Sequence, residues 1–136
     1  MARDSSLQLR RAIVAHLKAD PGLLAIVPQA QQHGERSPAK PTFPFTRYGV
    51  AETLPARAQC WDGVRVTFPI HAFSKTRFTD EVHGINAAIA AALDGAVLAL
   101  GDGGRAHVRW LNSRILPDPR EADVFHGIVS FEATVA

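Results

Sequence analysis

Two rhythms of apolar and polar positions run along this chain, and the switches between them divide it into elements. From Ser5 to Ala19, Leu7, Leu9, Ile13, Val14 and Leu17 recur at helical spacing, with Arg10, Arg11 and Lys18 between them. That pattern predicts an amphipathic helix laid on a core. Asp4 or Ser5 can cap its start and Asp20-Pro21-Gly22 stops it, with one short turn over Leu23–Val27. A second helical stripe runs through Phe78, Val82, Ile85, Ile89 and Leu93. Asp80 and Glu81 in its first turn complement the helix dipole, and Gly95 stands where a left-handed stop is expected. The alanines between Ala87 and Ala92 make that helix smooth enough to pack closely on a sheet.

Elsewhere the period is two. Val64, Val66, Phe68, Ile70 and Ala72 alternate with Arg65, Thr67 and His71, which predicts a half-buried strand following the Asp62-Gly63 turn. Pro69 within that run argues for an edge position or a bulge. Phe43 to Ala51 reads as a strand anchored by Phe43, Phe45 and Tyr48, and Glu52 to Gln59, with Pro55 and Arg57, reads as a loop. Ala96–Leu100, a Gly-Asp-Gly-Gly turn and Arg105–Leu116 predict two further strands. Beyond the Pro117-Asp118-Pro119 corner comes a last strand, Val124–Val135. There Phe125, Val129, Phe131, Ala133 and Val135 face one way, and His126, Ser130, Glu132 and Thr134 the other.

Helix, strands, helix and β-meander together predict an α+β fold, with a mixed or antiparallel sheet of about 4–5 strands and two main helices packed on one face. The 136 residues form a single domain, 1–136, interrupted by a long polar loop at 28–42 that has almost nothing to bury. The 46% hydrophobic content supports a self-sufficient core, and a net charge of +2 is too small an excess to argue for nucleic-acid binding. Cys60 is the only cysteine, which excludes an intrachain disulfide and makes a reducing site of folding the default. The apolar run from Ile85 to Leu100 is interrupted by Asn86, Asp94 and Gly95, so no membrane span is expected.

No constellation for catalysis emerges, and neither a cofactor nor a metal is expected. His16, His33, His71, His83, His107 and His126 are scattered without ligand spacing. His16 and His83 are expected on solvated helix faces, and His71, His107 and His126 on the outer face of strands. Their number leaves room for a pH-sensitive interface. Cys60 beside Trp61 reads as a small half-buried thiol, and Gly101–Gly104 as a hairpin turn instead of a phosphate loop. Asp118, Glu121 and Asp123 read as carboxylates facing water. Arginine is the residue that interfaces favour. The candidate interface residues are therefore Arg36, Lys40, Arg47, Arg57, Arg114 and Arg120, with Pro69 marking a strand edge.

The order of these elements resembles the phage tail-completion, or tail-terminator, family found in siphophage-like tails and gene transfer agents. Four segments carry the resemblance: LQLRRAIVAHLKADPGLLAIV at the start, PTFPFTRYG after the proline-rich loop, VRVTFPIHAFSKTRFTDEVHGINAAIAAALDG, and the closing FHGIVSFEATV. The resemblance spans about Leu7 to Val135. It implies a structural virion protein that ends the tail tube as a hexameric ring. Such a ring would touch the tube protein on one side and the head-completion protein on the other, with DNA passing through its bore. It would be made in the host bacterial cytoplasm and reside in the tail or neck. A head-completion (stopper) protein is the nearest alternative; a small enzyme or a nucleic-acid-binding module are more distant ones.

Overall fold

The computed structural model describes residues 3–58 and 61–136, so Gln59 and Cys60, with the thiol discussed above, lie outside the described residues. Helix α1 (Ser6–Lys18) turns Leu9, Ile13 and Leu17 inward. Asp4 accepts the backbone N–H of Ser6 at 3.0 Å, while Ser5 reaches across to Asp102, 2.8 Å away. Asp20 does more than end α1: its carboxylate accepts the N–H of Leu23 and caps a second short helix, α2 (Pro21–Leu24), with Pro21 at its first position. Helix α3 (Asp80–Leu93) buries Val82, Ile85, Asn86, Ile89 and Leu93. Gly95, at φ 78°, takes the left-handed conformation that ends it.

The sheet is larger than the sequence suggested. Its strands are β1 (Gln32–His33), β2 (Phe45–Tyr48), β3 (Glu52–Ala58), β4 (Trp61–Lys75), β5 (Val97–Ala99), β6 (Arg105–Pro117) and β7 (Val124–Val135). These seven strands run β1–β2–β4–β7–β6–β5, with β3 also paired to β4, where about 4–5 were expected. Two additions account for the difference. The segment read as a loop because of Pro55 is β3, paired residue for residue from Glu52↔Thr67 to Ala58↔Trp61. Its outer side has no partner strand among the described residues, so a proline is tolerated there. The polar stretch 28–42 is also not loop throughout: a 3-10 turn at Gln29–Gln31 leads into β1, which adds parallel to β2.

Pro69 is not at an edge. Strand β7 covers one side of β4 from Val64 to Lys75, and β3 and then β2 cover the other. The proline sits opposite the interruption between β2 and β3, where a missing N–H leaves no ladder bond broken. Its carbonyl still accepts the N–H of Gly49 at 2.8 Å. Position 49 must be glycine, because a Cβ there would come within 2.6 Å of both the Pro69 ring and His71.

Alternation decides the core. Val64, Val66, Phe68, Ile70 and Ala72 of β4 lie beside Val129, Phe131, Ala133 and Val135 of β7, beneath α1 and α3. Phe68 and Phe131 stack at 5.5 Å and are 1% and 0% exposed; burying each contributes roughly 1.5–3 kcal/mol. The two main helices do share one face, but Phe78 does not belong to the α3 stripe. It precedes the helix and is 70% exposed.

Candidate assembly surfaces

The odd positions of β4 point away from the helices, and they build a face that the core cluster leaves out. Pairing places Phe45, Phe73, His126 and Leu116 in one row across this bare face, and Arg47, His71, Ile128 and Arg114 in the next. The first row continues into an aromatic chain. Phe43 meets Phe45 at 5.2 Å, Phe45 stacks on Phe73 at 4.6 Å, and Phe73 stacks on His126 at 4.3 Å. The Arg47 guanidinium lies 5.7 Å from the Phe73 ring centre, in cation–π range.

His71 Nδ1 and His126 Nε2 are 2.7 Å apart, so one ring donates the proton that the other accepts. Burial pushes His71 down to about 4, helped by the positive charges of Arg47 and His126. Burial also lowers His126, as do Arg47 and Arg114, against the opposing pull of Asp118. Both rings are therefore neutral at pH 7, and the charge of the row that holds His71 is carried by Arg47 and Arg114. Beside them a groove of about 330 Å³ runs over Pro69 and Ile128, walled by Val50 and by Leu111. The bulge between Trp110 and Asn112 sets the Leu111 wall.

Two sheet edges are also unfinished. On the side of β6 away from β7, β5 pairs only with Arg105–His107, Gly95 and Ala96 bond to Val108, and the Asp94 carboxylate takes the Trp110 N–H. Beyond that, among the described residues no strand pairs with 111–117 on this side. A groove of about 540 Å³ separates this edge from α3, with Trp110 and Ile115 on one wall and His83 and Asn86 on the other. Asn86 is 5% exposed; its Nδ2 donates to the Arg114 carbonyl at 3.4 Å and its Oδ1 has no hydrogen-bond partner among the described residues. The second unfinished edge is the outer side of β3.

The interface candidates scatter across these surfaces. Arg47, Pro69 and Arg114 come together on the bare face, Pro69 and Arg114 both lining its groove. Arg57 is exposed on β3 and pairs with Asp62 at 3.6 Å. Arg36 and Lys40 are exposed between β1 and β2, and Arg120 is exposed at the corner between β6 and β7. Sequence reasoning missed Trp110, Leu111 and Val50, because exposure of an apolar side chain has no local signature. It also missed the histidine couple, since its members are 55 positions apart. His16 is not simply solvated: its Nε2 lies 2.9 Å from the Ala92 carbonyl and ties α1 to α3. Among the described residues no group of three or more His, Cys, Asp or Glu is placed to hold a metal, and no helix is long and apolar enough to cross a membrane.

Comparison with known proteins agrees with the order of elements. The model of the family described as tail completion protein gp17 matches residues 11–136. The chain belongs to that family. Its role is therefore structural, in the assembly of a phage-type tail, and it is a component of the virion. A chain of the solved virion of a native gene transfer agent particle has the same fold, with a TM-score of 0.83, 23% identity and 96% of each chain covered. A second solved structure superposes with a TM-score of 0.58 at 17% identity, covering 98% of this chain and 97% of its own. No curated protein matches the sequence.

Proposed function

We propose that this tail completion protein closes the end of the tail tube as one subunit of a ring, hexameric as the family resemblance implies. One side of the ring would meet the last tube subunits and the other the head-completion protein, with DNA passing through the bore without sequence-specific contact. The protein would be synthesised in the host cytoplasm and then incorporated into the particle. The observation that carries this reading is the presence of unlike unfinished surfaces on one chain: a bare sheet face and, among the described residues, unpaired stretches of β3 and β6 at opposite sides of the sheet. Subunits of a ring meet through two different patches, so each needs more than one. Arg47, Pro69 and Arg114 on the bare face, Arg57 on β3, and Arg36, Lys40 and Arg120 on the flanking segments are the residues proposed to meet neighbours.

Deleting the gene and examining particles by negative-stain electron microscopy tests this. Separate heads with overlong or unjoined tails, rescued by the purified protein, are expected. Normally joined particles after deletion would overturn it.

A further inference from the structure

We infer that the free edge of β6, from Leu111 to Pro117, receives β3 of a second copy of this chain, so that neighbouring sheets join edge to edge. This pairing presupposes the ring proposed above and specifies which surfaces close it. The first reason is an unsatisfied edge. Long exposed edges invite pairing and are usually blunted with charge, proline or short length. Here the stretch carries one charge, Arg114, and its proline only at the far end, and it exposes Leu111 and Leu116 by 43% and 42%, next to Trp110 at 46%. On the opposite side of the sheet, Val50 beside β3 and Leu54 within it are 90% and 51% exposed. Most of the large apolar side chains left in water thus lie at these two edges.

Chain direction fits as well. Strand β3 is antiparallel to β4, β4 to β7, and β7 to β6, so β3 runs opposite to β6. Moving a second copy sideways along the sheet brings its β3 against β6 in the antiparallel sense, continuing the existing alternation. Both stretches span seven positions, 52–58 and 111–117.

The faces match too. Leu54 pairs with Arg65 and Leu116 with His126, so both lie on the bare face, and the incoming Leu54 would settle beside Leu116. Pro55 pairs with Val64 and faces the helices; it would enter the 540 Å³ groove between Trp110 and α3, and since it has no N–H to donate, the new ladder would lack one bond at that position. Finally, β3 lies along the Trp61–Thr67 half of β4, whereas the free stretch of β6 lies along the Phe125–Ser130 half of β7. Copies joined this way are offset along their strands, the stagger that inclines strands and lets a sheet close on itself.

The test uses the whole chain with one edge blocked at a time: Leu54→Lys blocks β3, and Leu111→Lys with Leu116→Lys blocks the β6 edge. Native mass spectrometry of the protein in solution and of cross-linked protein on purified tail tubes reads the assembly. Urea midpoints confirm that each variant is folded. Rings are expected from the unaltered protein and monomers from either variant alone. An equimolar mixture should give dimers and nothing larger, because one good contact remains. Rings from both variants would overturn the edge pairing while leaving the ring itself standing. Rings that form but no longer join tubes would give the β6 edge to the tube protein instead. An unaltered protein that forms no ring in solution or on tubes would overturn the ring, and this pairing with it.

Discussion

The two faces of one sheet make unlike use of the same alternation. On the helix side, Val66, Phe68, Ile70, Phe131 and Ala133 are at most 1% exposed, and each is held by neighbours from helices and strands alike. On the bare side, β4 presents Pro69 and His71, joined by Arg47 of β2 and Arg114 of β6, around shallow apolar walls. The first face stabilises the subunit and the second is left for something else. A subunit that must fold first and join later needs this division, because a fully satisfied surface would have nothing left to bind with.

The largest effect should come from the covered face. Phe131→Ala should lower unfolding free energy by roughly 3–5 kcal/mol, measured by urea denaturation. A loss under about 1 kcal/mol would mean that this face is not the core. Gly49→Ala should come next, with a loss of about 1–3 kcal/mol, since its methyl group meets both the Pro69 ring and His71. Unchanged stability would show that the β2–β3 interruption is looser than the geometry says.

The histidine couple sharpens the comparison by pH. His71 titrates near 6.5 when unfolded and near 4 when folded. Between those values the unfolded chain binds more protons, so stability is full above about 6.5 and falls as pH drops toward 4. The urea midpoint should therefore fall between pH 7 and pH 5, and fall less in His71→Gln; equal falls in both proteins would assign the effect to other groups. The smallest effect should be at the edge: Leu116→Lys should shift stability by no more than about 0.5 kcal/mol, because the side chain is 42% exposed and outside the core. A large loss there would mean that the edge is structural in the isolated chain.

The helices and the longest strands were legible because their signals are local. Leu9, Ile13 and Leu17 repeat with the turn of a helix, and Val64 to Ala72 with the pleat of a strand. Prolines misled in both directions. Pro55 disguised a strand whose outer edge tolerates it, and Pro69 suggested an edge in what is a central strand. A proline reports only that its own N–H is not needed, and whether a neighbour needed it is a question of pairing. Phe78 kept the helical spacing but lies before the helix begins, so periodicity placed it in a stripe that the backbone never reaches.

What the sequence determined by itself was the set of elements with a strong period, the absence of any disulfide within the chain, and the family that their order resembles. What only the tertiary structure decided was which surfaces stay open. The meeting of His71 with His126, the row from Arg47 to Arg114, and the free edges of β3 and β6 all depend on strand register and sheet order. Those arise when segments far apart in the chain exchange backbone hydrogen bonds, and backbone groups are the same at every residue. Side-chain pattern along the chain therefore records which face a residue takes, but not which partner lies beside it.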